Sequence, residues 1–200
     1  PFSTFLAPGL VMMAITQNAF ANTSSSIVIS KVQGNIVDVL MPPLSAWELT
    51  VGYGLSGATR GLIVGAACVV AVALVTPLPF ASVPLILLFG MLAALALSLI
   101  GVVGGIWSEK FDHIAAVTNF IVTPLAFLSG TFYSIDRLPE DWRFIAFLNP
   151  VFYMIDGFRA GFIGQAEASP WVGAAVLIAL NAGLFALAWW MFARGYKLKT

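Results

Sequence analysis

Charge is scarce in this chain: Asp, Glu, Lys and Arg make up 9% of its 200 residues, while hydrophobic residues make up 60%. A soluble globular domain carries roughly 25% charged residues, so a monomer folded in water is excluded. The formal net charge is zero, and no basic stripe with interleaved aromatics is present, which leaves no footprint for nucleic acid. Cysteine and histidine are almost missing as well. The lone Cys68 cannot form an internal disulfide and reads as a lipid-facing or helix-packing residue. The lone His113, beside Asp112 and Glu109, falls short of the three ligands a catalytic zinc requires; it reads as an interfacial polar residue, and no metal is expected. No Gly-x-x-x-x-Gly-Lys-Ser/Thr loop occurs, so Walker-type nucleotide binding by this chain is excluded. No span carries a carboxylate near its centre, as an intramembrane proton relay would need. The chain opens on Pro1-Phe2-Ser3 with no initiator Met and no basic n-region, so the expectation is a fragment with residues missing upstream.

What is abundant is uninterrupted apolar sequence. Phe80 to Trp107 contains no charged residue, and about 17–25 apolar residues suffice to cross the hydrocarbon of a bilayer. Five spans are expected, at about residues 4–21, 50–75, 80–106, 114–132 and 171–192. Thr76-Pro77-Leu78-Pro79 joins the second and third as a membrane hairpin, since prolines remove backbone donors and restrict the residues before them. Pro124 should break a helical hydrogen bond and kink the fourth span. Trp171 and Trp189-Trp190 mark the ends of the last span at the headgroup level, or are lipid-facing bulk. Residues 133–163 are mixed, with apolar stretches too short to cross, and are expected to lie at an interface as short amphipathic or partly re-entrant helices.

Basic residues set the orientation. Lys31, Arg60, Lys110, Arg194, Lys197 and Lys199 fall on one side, six against Arg137, Arg143 and Arg159 on the other, where five acidic residues outnumber them. The side richer in Lys and Arg is the cytoplasmic one. That places residues 24–49, the 108–113 knot and the C-terminus in the cytoplasm, and residues 133–170 outside. Arg60 sits within the second span, and three readings stay open: snorkelling to the interface, a helix that starts lower, or a charge lining a polar route.

The cytoplasmic segment 30–49 holds the most pattern. Val32, Ile36, Val39 and Leu40 recur at helical spacing against Lys31, Gln33, Asn35 and Asp38, which predicts an amphipathic helix over 32–41, stopped by Pro42-Pro43. Ser45 then caps the next helix, with Glu48 at the capping-box position. Such a helix rests on the membrane surface, or transmits force from a soluble partner.

The run Val32-Gln33-Gly34-Asn35-Ile36-Val37-Asp38-Val39-Leu40-Met41-Pro42-Pro43-Leu44-Ser45 resembles the cytoplasmic coupling-helix region of ABC-2 type transporter permeases. Gly130 to Tyr133, Leu138-Pro139, Leu148-Asn149-Pro150 and Asp156-Gly157-Phe158-Arg159 are similar to the same family's stretch before its last span. Where typical members have Thr-Pro, this chain has Met41-Pro42-Pro43. The resemblance implies an all-α polytopic membrane domain of the ABC-2 (type V exporter-like) kind, with six helices per subunit of which the first is missing here. It further implies a homodimer, embedded in the lipids of a bacterial inner membrane, with two copies of a separate cytoplasmic ATPase subunit that binds ATP and Mg. Carried over by position, Val32, Gly34, Ile36, Asp38, Val39, Leu40, Met41 and Pro42 are the expected ATPase-coupling residues. Tyr133, Pro139, Asn149, Pro150, Asp156 and Arg159 fall in the extracytoplasmic gate region.

Inside the spans, Gln17, Asn18, Arg60, Asn119 and Thr123 are the candidates for lining a pathway, or are polar groups satisfied by a neighbouring helix. Phe2, Phe5, Phe20 and Phe120 form an aromatic belt or ordinary lipid contacts. The function expected is that of a permease subunit of an ATP-driven exporter for a drug, lipid or glycan. A non-transporting membrane scaffold is the alternative, and a lipid-modifying enzyme would need Asp136, Asp141 and Asp156 brought together.

Overall fold

The structure is a computed structural model that describes residues 2–134, 137 and 139–198. The described residues form helices α1 (Phe2–Val32), α2 (Ile36–Leu40), α3 (Ala46–Ala73), α4 (Val83–Trp107), α5 (Phe111–Val117), a π-helical turn (Thr118–Val122), α6 (Thr123–Leu128), α7 (Glu140–Leu148), α8 (Pro150–Ile163) and α9 (Pro170–Arg194), with no strand among them. Five segments are long and apolar enough to cross a membrane: α1, α3, α4, the run Phe111–Leu128 and α9.

The first helix outruns the expected 4–21. Residues after Ala21 are Asn, Thr and Ser, poor helix formers in water because their side chains compete for the backbone. Here the hydroxyls bond back one turn instead: Ser24 Oγ donates to the Phe20 carbonyl at 2.7 Å, Ser26 to Asn22 at 2.6 Å and Ser30 to Ser26 at 2.9 Å. Thr23 Oγ1 reaches across to the Ser98 carbonyl at 2.7 Å, tying α1 to α4. At 31 residues and about 1.5 Å rise each, α1 is longer than the ~30 Å hydrocarbon.

Its end at Val32 corrects the start of the expected coupling helix. Gly34, at φ +75, interrupts the helix, a left-handed conformation that glycine adopts without a Cβ penalty. The helix that follows covers only Ile36–Leu40.

The hairpin between α3 and α4 is also longer than the prolines suggested. α3 stops at Ala73 and α4 begins at Val83, with Pro84 in its first turn. The intervening backbone is held by α8, since the Ala81 and Ser82 N–H groups donate to the Phe162 and Gly161 carbonyls at 3.2 and 2.7 Å.

The fourth span runs 111–128 rather than 114–132. Pro124 lacks the N–H that would bond one turn back, and the disruption takes the form of a π-turn in which the Thr123 N–H donates to the Thr118 carbonyl. The span ends where Gly130 turns left-handed at φ +80 and the Thr131 hydroxyl takes the Ala126 carbonyl.

The core centres on α4, which packs against α1, α3, α8 and α9. Close approach of α1 and α4 requires glycine at position 101, where a Cβ would sit 2.1 Å from Thr23 Oγ1 and 2.6 Å from the Phe20 carbonyl oxygen. At 14 residues, α8 is about 21 Å long, too short to cross. It is buried against α4, α9 and α1 through Phe152, Ile155, Phe158 and Phe162, not laid along a surface. α7 is the surface helix, exposing Trp142, Phe144, Ile145 and Leu148.

Candidate functional site

Three groups of residues stand out along the bundle, beginning at the elbow around α2. Ile36, on α2, is 7% exposed and packs with Ile27, Leu49, Ile106 and Phe192, drawn from α1, α3, α4 and α9. Val39 and Leu40 join it, while Val37, Asp38 and Met41 face outward, Met41 at 73% exposure. The short helix therefore grips the bundle by one face and presents the other. Val32, expected on the apolar face of the amphipathic helix, instead ends α1 and is exposed; Gly34 makes the turn between the two helices, and Pro42 is exposed after α2. The next helix begins on a full capping box. Ser45 Oγ accepts from the Glu48 N–H at 3.2 Å, and the Ser45 N–H donates to Glu48 Oε2 at 2.7 Å. The elbow's exit is thereby fixed, with Leu44 and Trp47 exposed beside it.

The second group lines a cleft within the span region. One face of α1 and one of the fourth span enclose about 440 Å³, lined by Gln17, Ser24, Ser25, Thr118, Asn119 and Thr123 together with apolar neighbours including Phe20, Ile114 and Val122. No charged side chain lines it. The hydroxyls of Ser24, Ser25 and Thr118 donate to carbonyls of their own helices, leaving their oxygen lone pairs available as acceptors. Gln17, Asn119 and Thr123 are thus brought together, but two other sequence candidates are not. Asn18 donates Nδ2 to the Ala14 carbonyl at 2.9 Å. Arg60 is exposed on α3 and donates to Asn22 Oδ1 at 3.3 Å, while Asn22 Nδ2 donates to Ser56 Oγ. Ser24, Ser25 and Thr118 were not among the candidates. Their signal was periodic: 17, 21, 24 and 25 on α1, and 114, 118, 119, 122 and 123 on the fourth span, share one helical face.

The third group surrounds one turn of α8 at the opposite end. Asn149 caps α8, accepting from the Val151 N–H at 3.0 Å, and donates Nδ2 to the Leu125 carbonyl at 3.0 Å. Pro150 occupies the first turn of α8, where its missing N–H is no loss; Pro139 plays the same entry role just before α7. Tyr133 donates its hydroxyl to the Leu128 carbonyl at 3.1 Å, and burial pushes its phenol up from the ordinary value. Leu138 and Asp136 lie outside the described residues, as does Lys199 at the C-terminus.

Asp156 and Arg159, both buried, face different partners. The Asp156 carboxylate accepts from the Glu167 and Ala168 N–H groups at 2.8 and 2.9 Å, holding the loop into α9. Burial pushes its carboxyl up from the ordinary value, opposed by those two donors. The Arg159 guanidinium donates to the Gly130 carbonyl at 2.8 Å and the Thr131 carbonyl at 3.4 Å, and stacks 3.8 Å over the Phe5 ring. Burial pulls its ionisation down, opposed by the nearby carboxylates of Glu167 and Asp156. One helical turn thus ties α1, the end of the fourth span and the start of α9. Asp141 is exposed on α7, apart in burial from Asp156, and among the described residues no group of three or more His, Cys, Asp or Glu side chains is placed to hold a metal.

Comparison with known proteins matches residues 2–163 to the family described as ABC-2 type transporter. The inner membrane transport permease YadH of Escherichia coli (strain K12) is 35% identical over 199 residues, covering 100% of this chain and 78% of the relative. Nodulation protein J of Rhizobium leguminosarum bv. viciae is 24% identical over 169 residues, covering 84% and 65%. The probable multidrug ABC transporter permease YbhR of Escherichia coli (strain K12) is 25% identical over 201 residues, covering 96% and 53%. No solved structure matches.

Proposed function

From the chain's membership of the ABC-2 type transporter family, as a multi-pass inner-membrane transport permease, we propose that it couples export of an amphiphile to ATP hydrolysis on a separate subunit. The carrying observation is α2: a five-residue helix anchored by Ile36 in the bundle, with Val37, Asp38 and Met41 turned outward between a glycine turn and a capping box. On this reading the outward face seats on the ATPase, the subunit that binds ATP and Mg. Closure of the ATPase dimer then displaces α2, and Ile36 passes the displacement to α1, α3, α4 and α9.

Two copies of the permease enclose the pathway. In support, the fourth span leaves Phe120 81% exposed, with Ile121, Phe127 and Leu128 also bare. The cleft of Gln17, Asn119 and Thr123 opens on the neighbouring face of the same span. Its amides and hydroxyls beside Phe20, without charge, suit a neutral polar group on an apolar body, which keeps drug, lipid and glycan cargo within the same chemistry. Tyr133, Asn149, Asp156 and Arg159, with the entry prolines Pro139 and Pro150, form the outer gate. The elbow and the C-terminus face the cytoplasm.

The test is ATP hydrolysis by the permease reconstituted with its ATPase. Asp38→Arg and Val39→Pro should each abolish the stimulation that the permease gives, while the ATPase alone is unaffected. Full stimulation in both variants would favour a scaffold that does not transport.

A further inference from the structure

A helix ends with carbonyls that have no partner within it. At the end of α4 the Gly104 carbonyl is taken by the Ser108 N–H, but Ser108 turns extended, at ψ 140, and the helix has no left-handed cap. The next carbonyls are met by two ammonium groups, one from α1 and one from the turn after α9. Lys31 Nζ donates to the Ile106 carbonyl at 2.7 Å and to that of Ser108 at 2.6 Å. Lys197 Nζ donates to the Trp107 carbonyl at 3.3 Å, pairs with Glu109 Oε1 at 3.3 Å and sits 5.4 Å from the Trp107 ring centre.

Both lysines occupy mechanically placed positions. Lys31 is the last residue but one of α1, directly before the Gly34 turn into α2. Lys197 follows α9 and holds a left-handed backbone, φ 51, unusual for a residue with a Cβ. Its neighbour Leu198 is buried in the apolar cluster that contains Ile36. Cationic side chains at a helix C-terminus are favourable in general, but here the cations arrive from α1 and from beyond α9. They converge on the helix that packs against α1, α3, α8 and α9. Displacing α2 along with the end of α1 must carry the end of α4, or break the Lys31 bonds.

We propose that Lys31, seconded by Lys197, is a positioning residue that makes α4 follow the coupling helix, so that movement at the elbow reaches the bundle. The proposal rests on the coupling reading above. Its test uses the full permease with its ATPase in proteoliposomes, on a Cys68→Ser background with Phe132→Cys as reporter. The rate of labelling by an impermeant maleimide is compared between nucleotide-free and ATP-vanadate states, alongside ATP hydrolysis and the amount of assembled complex.

In the parent the two labelling rates should differ. In Lys31→Met the complex should assemble and hydrolyse ATP while the two rates become equal, and Lys31→Arg, which keeps donors for both carbonyls, should restore the difference. A parent without any nucleotide-dependent difference overturns the coupling reading and this proposal with it. A normal parent alongside a Lys31→Met variant that keeps the full difference overturns the proposal alone. Should Lys31→Met fail to assemble, Lys197→Met carries the test, its side chain being 34% exposed. A reduced difference at unchanged assembly supports the joint, and an unchanged difference refutes it.

Discussion

Replacing Arg159 by Leu should destabilise the permease more than any exposed substitution, and the structure sets the scale. Arg159 is 5% exposed, and the carbonyls of Gly130 and Thr131 that it meets at 2.8 and 3.4 Å are themselves buried. Leaving a buried acceptor without a partner costs about 1–3 kcal/mol, and loss of the stack on Phe5 costs about 0.5–2 kcal/mol more. Against this, a buried guanidinium carries its own desolvation cost, and Nε has no hydrogen-bond partner among the described residues. The net loss is about 2–4 kcal/mol. For a chain of this size each kcal/mol shifts the melting temperature by roughly 2–4 °C. Arg159→Leu should therefore melt about 5–15 °C lower, measured in detergent by the fraction of monodisperse protein surviving heating. Arg159→Lys keeps the charge but loses the planar fork, and should fall between the two. A Leu variant that melts within about 2 °C of the parent would refute the view that this side chain ties α8 to the end of the fourth span.

Further outcomes follow from other contacts. Burial raises the Asp156 carboxyl above its ordinary 3.8, so its contribution to stability is full below that value and is lost as pH rises through the folded-state value. Melting temperature followed across that window should show the decline in the parent and a flatter profile in Asp156→Asn. The Asn variant should also melt lower throughout, since its NH2 group replaces one of the two oxygens that accept from Glu167 and Ala168 and sets a donor against a donor, a cost of about 1–3 kcal/mol. Gly101→Ala places a Cβ 2.1 Å from Thr23 Oγ1; overpacking of this kind costs about 1–3 kcal/mol, readable in the same melting assay. Ser45→Ala removes the cap of α3, with an expected loss of about 0.5–2 kcal/mol and a reduced stimulation of the ATPase, because the elbow's exit loosens. Gln17→Arg puts a cation into a cleft lined without charge and should reduce transport without lowering ATP hydrolysis in proportion, checked by flux per ATP consumed.

Local chemistry was legible in the sequence where a few neighbouring residues decide it. The Ser45–Glu48 spacing announced a capping box, and the proline pairs announced helix ends. The five apolar runs announced five spanning helices, though their bounds moved. The Ser-rich stretch after Ala21 reads as a helix end by propensity in water. In the fold, hydroxyls bonded to carbonyls one turn back keep it helical, so α1 reaches Val32 and the elbow starts later. Pro124 signalled a disruption but not its form, because a π-turn depends on which carbonyl the next free N–H can reach. Gln17, Asn119 and Thr123 were noticed one by one as polar residues in apolar runs, whereas their meeting in a single cleft is tertiary. The partners of Lys31 lie 75 and 77 residues away, and those of Arg60 and Arg159 are likewise distant. No local pattern encodes such pairs.

The central claim is that α2 lies in the cytoplasm and bears against the ATPase. Its most direct test is labelling of Asp38→Cys, on a Cys68→Ser background, by a membrane-impermeant maleimide in vesicles of both orientations. Labelling confined to inside-out vesicles, and blocked when the ATPase subunit is bound, is the expected result. Labelling of right-side-out vesicles, or labelling indifferent to the ATPase, would contradict it.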